Sequence, residues 1–522
     1  MTHLKALAAL VLLALALPLS SNAQTRVLQP VGHDVSAPLR DMPVIPPPMF
    51  DNFNLHLTKP VPAFPNGGPD GALQTSPVQT SATINNLTGF DGPGVSTGLS
   101  IAGEPPDTNA SVGNTQVVVW VNTSFAVYDK TTHAKVFPAS GFAAGNTIWN
   151  GFSSGRCNTD NSGDPIVLYD KQAQRWIFTQ FAVSKSPYAQ CVAISQTSDA
   201  TGPYNRYAFN FGTNFPDYPK VGIWTDAYYF TFNLFAHASR FAGSDRCALD
   251  RTTALNGGAA TMLCSATSTS FASLLPADLD GASGASGTTA LPPAGTAEYM
   301  VNFGTNSLNV WRITPNFSAG TLSITGPTNI AVASFSKACN GGTCIPQSGV
   351  SQQLDSLGDR LMYRLSYRNF GTFASLLVSH SVTAGSSVGV RWYELRDTGS
   401  GPTVFQQSTF APDATFRWMP SIAQDKQGNI AVGYSISSSA IHPGINFASR
   451  AATDPAGQLS NETNLLTGTG SQSGHSRWGD YTSMSVDPAD DCTFYYANEW
   501  LNSTGDFIWS THVSSFKLGT CQ

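Results

Sequence analysis

Short apolar runs, each broken by a polar turn, recur through most of the chain, and they align on an aspartate at the turn. Residues 165–170 (Pro-Ile-Val-Leu-Tyr-Asp) lead into 176–181, residues 221–226 into 227–232, 420–425 into 429–434, and 482–487 into 492–497. Each first run has the length of a short strand. The turn that follows suits aspartate, whose side chain hydrogen-bonds its own downstream backbone. Each second run is rich in aromatic and β-branched residues, the types that fit a pleated surface. Looser copies join 107–113 to 116–121, 354–359 to 360–365, and 275–280 to 298–303. Several copies continue into two more strand-like runs, as at 189–195 and 204–210, so the unit predicted is four strands.

Taking Asp107, Asp164, Asp217, Asp278, Asp355, Met419 and Asp480 as markers, the spacing is about 60 residues. One hydrophobic core stops growing near ~250–300 residues. The repeating stretch exceeds that, so it must divide or repeat around an axis. Four-stranded units repeated radially form a β-propeller, and seven markers predict seven blades in an all-β fold. A β-sandwich array would need units nearer ~100 residues. The last marker lies close to the C-terminus, so the final blade is expected to borrow a strand from residues 81–100. One short helix is expected over 245–255, started by Ser244 or Asp245 and stopped by Gly257-Gly258.

The ends read differently. A positive start, an apolar run over 6–19 and Ser21-Asn22-Ala23 read as a secretory signal peptide spanning 1–23 and cleaved after Ala23. Residues 24–80 hold 11 prolines with little apolar periodicity and read as an extended or disordered leader, a spacer before the propeller of 81–522. Residues 282–296, rich in Ala, Ser and Gly, read as a surface loop within the fold. Eight cysteines in an exported chain read as disulfides, and proximity favours Cys157 with Cys191, Cys247 with Cys264, Cys339 with Cys344, and Cys492 with Cys521. Eight cysteines allow 105 pairings, so connectivity stays open here.

Composition narrows the function classes. Only 11% of residues are charged and the net charge is −6, against the helical arrays and nucleic-acid binders that need abundant or basic charge. With 41% hydrophobic and 11% aromatic residues the chain can fill a core. No later stretch is long and apolar enough to span a membrane, and the mature protein is expected to be a secreted or periplasmic monomer. Serine-hydrolase elbows, zincin helices and phosphate loops are absent from the sequence, so no nucleotide or haem is expected. No metal ligand set is assigned, although loop aspartates and carbonyls could hold a structural calcium ion.

Segments 122–130, 354–369, 417–429 (Arg-Trp-Met-Pro-Ser-Ile-Ala-Gln-Asp-Lys-Gln-Gly-Asn) and 477–487 (Arg-Trp-Gly-Asp-Tyr-Thr-Ser-Met-Ser-Val-Asp) resemble an uncharacterised family of secreted bacterial β-propellers, from about residue 100 to the C-terminus. More distantly the chain is similar to sialidase-type propellers with BNR-like repeats, but their Ser-x-Asp-x-Gly-x-Thr-Trp box is absent and no catalytic residue carries over.

Residues just before each first strand of a propeller converge on the mouth of its channel. Here they include the catalytic candidates Asp107, Asp164, Asp217, Asp355 and Asp480. The candidates for ligand binding are Arg417, Trp418, His475, Arg477, Trp478 and Tyr481. Paired carboxylates can cleave a glycosidic bond, arginine grips a carboxylated sugar, and rings stack on pyranoses. The plainer reading is that recurrent aspartates cap turns and that Trp418 and Trp478 pack between blades. His475, Arg417 and Arg477 break the repeat and are the stronger candidates. Glu499 ends a second strand and is expected on the opposite side or edge. The expected role is engagement of an extracellular glycan at the funnel, with a glycoside hydrolase-like reaction as its catalytic form. The alternative is a non-catalytic surface for a protein or cell-surface partner.

Overall fold

The computed structural model describes residues 24–48, 54–55, 59–76, 83–101, 103–281, 291–460, 462–519 and 521. The signal-peptide reading of 1–23 and most of the 282–296 loop therefore lie outside the described residues.

The fold is all-β. Among the described residues the main strands form seven antiparallel meanders of four, called units one to seven here, with first strands at Asn109–Val112, Ile166–Asp170, Asn214–Ile223, Leu275–Leu279, Met362–Asn369, Phe416–Gln424 and Ser483–Val486. Each first strand touches the next, and that of unit seven touches that of unit one, so the ring closes. The closing strand is Ile84–Asp91, which pairs antiparallel with Trp509–Leu518 on the edge of unit seven, within the stretch the sequence nominated. Units four and five are joined further, since Leu275–Leu279 pairs in parallel with Met362–Asn369.

Rings fill the space between units: Trp120 of unit one lies 5.3 Å from Phe178 of unit two, Phe211 of unit two 5.0 Å from Phe232 of unit three, and Phe447 of unit six 3.9 Å from Phe516 of unit seven. The aspartate turns form as the pattern implied. Asp170 accepts from the amides of Gln172 and Ala173, and Asp425 from those of Gln427 and Asn429.

Where it is described, the 24–76 stretch is mostly extended, as its prolines require, but it is not a free spacer. Arg26–Leu28 adds a fifth strand to unit three, Gly32–Val35 one to unit two, and Leu73–Gln74 a parallel strand to unit five. Sheet edges present unpaired amides and carbonyls, and an extended segment satisfies them. The helix is shorter and later than expected. Residues Arg240–Asp250 are strand, and the helix runs Arg251–Leu255 with Asp250 capping the Thr253 amide. Four disulfides join the pairs that sequence proximity favoured. Among the described residues no helix is long and apolar enough to cross a membrane.

Candidate functional site

A left-handed residue recurs two or three places before the first strand in units one, two, four and seven (Asp107, Asp164, Ser273 and Asp480) and at a register shift within it in units three and six (Tyr218 and Met419), all with φ between 47° and 56°. This region is costly for most side chains and cheap for aspartate, which explains three of the repeated aspartates. In unit three the left-handed residue is Tyr218, one place after the marker Asp217. In unit four it is Ser273, and Asp278 sits deeper in the channel.

Asp107, Asp164, Asp217, Asp480, Arg477 and Tyr481 lie close enough for their charges to act on one another. Asp355 joins from a small hairpin, Thr343–Ile345 with Leu354–Asp355, in the connection between units four and five. Arg477 donates to Asp355 at 3.3 Å and to Asp480. Asp107 is buried, and its Oδ1 finds no hydrogen-bond partner among the described residues. Loss of hydration, with Asp480 and Asp164 close by, pushes its carboxyl well above the usual range. Burial next to Asp217 raises Asp164 to about 7, and burial raises Asp217 to about 6 against the pull of Lys59 and Arg360.

Two cations at the centre were missed by the sequence reading. Lys220 is fully buried; its ammonium lies 3.5 Å over the ring of Tyr218 and 3.9 Å over that of Tyr481, and donates to the Pro219 carbonyl at 2.9 Å. Burial brings its pKa down to about 7, although Asp164, Asp107 and Asp480 pull the other way. Arg360 packs 4.6 Å over the same Tyr218 ring and pairs with Asp359 at 2.7 Å. The available signal was a lysine within the strand Asn214–Ile223, two residues after the left-handed Tyr218.

Other candidates lie elsewhere. Arg417 is wholly buried within unit six, held by Glu462 at 2.6 Å and Asp413 at 2.9 Å. Trp418 and Trp478 are fully buried against each other, ring centroids 5.7 Å apart, so neither presents a face to a sugar. His475 stands at the rim, about a third exposed, with Nδ1 2.8 Å from Asp506. Glu499 is not at the far edge. It is buried beside the cluster and accepts from the Gly479 amide at 2.8 Å.

The rings of Tyr218 and Tyr363 both pack on Tyr481, at 6.1 and 6.2 Å, and next to Tyr363 in the chain Arg364 centres a second charged storey. Arg364 donates to Asp278 at 2.8 Å and Asp280 at 2.6 Å, and Lys171 donates to Asp280 at 2.9 Å. These cations hold Asp280 far below the usual carboxylate range despite its burial. At the mouth, an open pocket of about 660 Å³ is lined by Thr343, residues 349–353, Ser473 and Gly474. Its walls continue into the segments carrying Asp355, His475 and Arg477, and the Asp355 amide donates to the Ser476 carbonyl at 2.7 Å.

No protein family matches the chain, and no curated protein does. Solved structures similar to it include an ulvan lyase, described as a new family of polysaccharide lyase, at 12% identity over 84% of this chain and 96% of that one with a TM-score of 0.35. An endo-arabinase from Bacteroides thetaiotaomicron shares 10% identity over 56% of this chain and 95% of its own, with a TM-score of 0.25. The WD40 domain of SCAP from fission yeast shares 10% identity over 85% and 98%, with a TM-score of 0.32.

Proposed function

We propose that this chain is an exported, monomeric protein that binds a glycan in the polar pocket at the funnel mouth and cleaves it with the carboxyls of the first-strand entrances. The observation that carries this reading is the charged cluster that Asp355 and Arg477 link to the segments lining that pocket. Two carboxyls and a lysine that exchange protons near neutral pH are the equipment of acid and base catalysis. Asp164, protonated up to about pH 7, has the proton a leaving glycosidic oxygen needs. Asp217, ionised above about pH 6, is the matching base for a water molecule. Arg477, already between two carboxylates, would turn toward the carboxylate of an acidic sugar. The amide and hydroxyl side chains of Gln352, Gln353, Ser351 and Ser473 suit sugar hydroxyls. Export is supported by the four disulfides.

A non-catalytic binding surface is the second reading, favoured by the burial of Asp107 and Lys220. A panel of acidic and neutral polysaccharides, assayed for binding and for new chain ends, separates the two. Under the catalytic reading Asp164→Asn retains binding and loses turnover by roughly 100-fold or more, and Arg477→Ala weakens binding of acidic glycans selectively. Binding without turnover in the wild type supports the second reading. Absence of binding to any glycan overturns both glycan roles.

A further inference from the structure

At the rim, on the side of the mouth where unit seven meets the segment 103–107, three side chains face one another without a role in the proposed reaction. They are Glu104, His475 and Asp506, and one ligand atom from each lies within 4.8 Å of the other two. Their exposures are graded. Glu104 is 1% exposed, whereas His475 and Asp506 have side chains 31% and 38% exposed. The site is open to solvent on one side and anchored in the protein on the other.

Glu104 supplies the second observation. Its Oε1 accepts from the Phe507 amide at 2.7 Å, which fixes the carboxyl. Its Oε2 is buried with no hydrogen-bond partner among the described residues. A buried carboxylate oxygen without a partner is costly, and a cation is the partner that would remove that cost. The imidazole is held in place, with Nδ1 2.8 Å from Asp506 and its ring edge-on to Phe507 at 5.1 Å. The anchor segment is tied down as well, by the Trp509 indole donating to the Gly103 carbonyl at 2.9 Å.

We infer that Glu104, His475 and Asp506 form a binding site for a borderline divalent cation of the Zn²⁺ type, open on its solvent side. Imidazole selects such an ion over calcium or magnesium, which prefer oxygen alone. Two carboxylates and one imidazole give the three protein ligands typical of a zinc site that keeps a fourth position for water or substrate. Bonds of ~2.0–2.2 Å bring tetrahedral ligands to roughly 3.5 Å apart. The partly exposed His475 and Asp506 therefore close slightly on the fixed Glu104. The other candidate group, Asp245 with Cys247 and Cys264, is unavailable because its cysteines are bonded to each other.

The test needs no activity. The chain from residue 24 onward is stripped with chelator and titrated with Zn²⁺, Ca²⁺ and Mg²⁺ by calorimetry, and bound metal is counted after dialysis. One equivalent of Zn²⁺ should be retained, and binding should weaken at least 10-fold in both His475→Ala and Asp506→Asn, with no Ca²⁺ or Mg²⁺ uptake at these residues. Metal-free thermal melts check that the variants fold, and Asp506→Asn changes so little volume that it secures the comparison if His475→Ala does not fold. Zn²⁺ uptake unaltered in the variants, no uptake, or preference for Ca²⁺ would overturn the inference. None of these results depends on the glycan reading, which turns on Asp164 and Arg477.

Discussion

Aspartate serves at two kinds of position in the repeat, and its surroundings decide what it does there. In the turn after a first strand, Asp425 accepts two amides and ends the strand. In the left-handed position before the strand, Asp164 gains little from the backbone and loses its hydration instead. A carboxyl whose folded pKa lies above the unfolded value near ~3.9 favours folding at low pH and loses that contribution as pH rises through the folded value. For Asp164 that window runs from about 4 to about 7. Asp164→Asn should thus match the wild type in stability at pH 3.5, below that window, and exceed it at pH 8 by at least ~1 kcal/mol, the worth of one pKa unit. Urea denaturation at both pH values checks this; an equal difference at the two would show that the carboxyl is not shifted. The aspartates were legible because they recur. Which of two identical Arg-Trp pairs reaches the funnel was not. Arg417 is claimed by Glu462, 45 residues on, and Arg477 by Asp480, three residues on.

At the scale of elements, strands and turns were readable because a four-residue turn and a two-residue alternation are local. The leader was not, because its partners are sheet edges hundreds of residues away and its prolines hide any alternation. Its hold on unit five is an ion pair: Arg391, wholly buried in the third strand, donates to Asp70 at 2.7 Å, and Thr409 donates to the other oxygen at 2.6 Å. Removing one partner leaves a buried guanidinium short of its counter-charge. Asp70→Ala should cost about 3 kcal/mol, read by chemical denaturation, and should release residues 67–76 to proteolysis before the rest of the chain. A loss below ~0.5 kcal/mol would make the strap incidental to stability.

For the whole molecule, closing the ring is the problem, since each unit contacts chiefly its neighbours. Two devices answer it. Ile84–Asp91 ties the start of the ring to its end by pairing with Trp509–Leu518, and Cys492–Cys521 pins the last strand. Along the axis, the second storey joins units that do not adjoin in sequence. Arg364 of unit five holds Asp278 and Asp280 of unit four and donates to the Met484 carbonyl of unit seven at 3.2 Å. Asp278 also accepts from the Ile223 amide of unit three, and Lys171 of unit two reaches Asp280. Five units thus join in one network, three of them at the guanidinium and two more through the aspartates it holds. If that network holds the ring together, Arg364→Met should destabilise the fold by about 3–5 kcal/mol, because two buried carboxylates lose their main partner. Adding Asp278→Asn and Asp280→Asn to it should recover part of the loss, since neutral amides need no counter-charge, although Lys171 then loses its own partner. Denaturation of the single and triple variants decides the matter: a triple variant no more stable than Arg364→Met alone would mean that packing of the arginine stem, and not charge balance, carries the contribution.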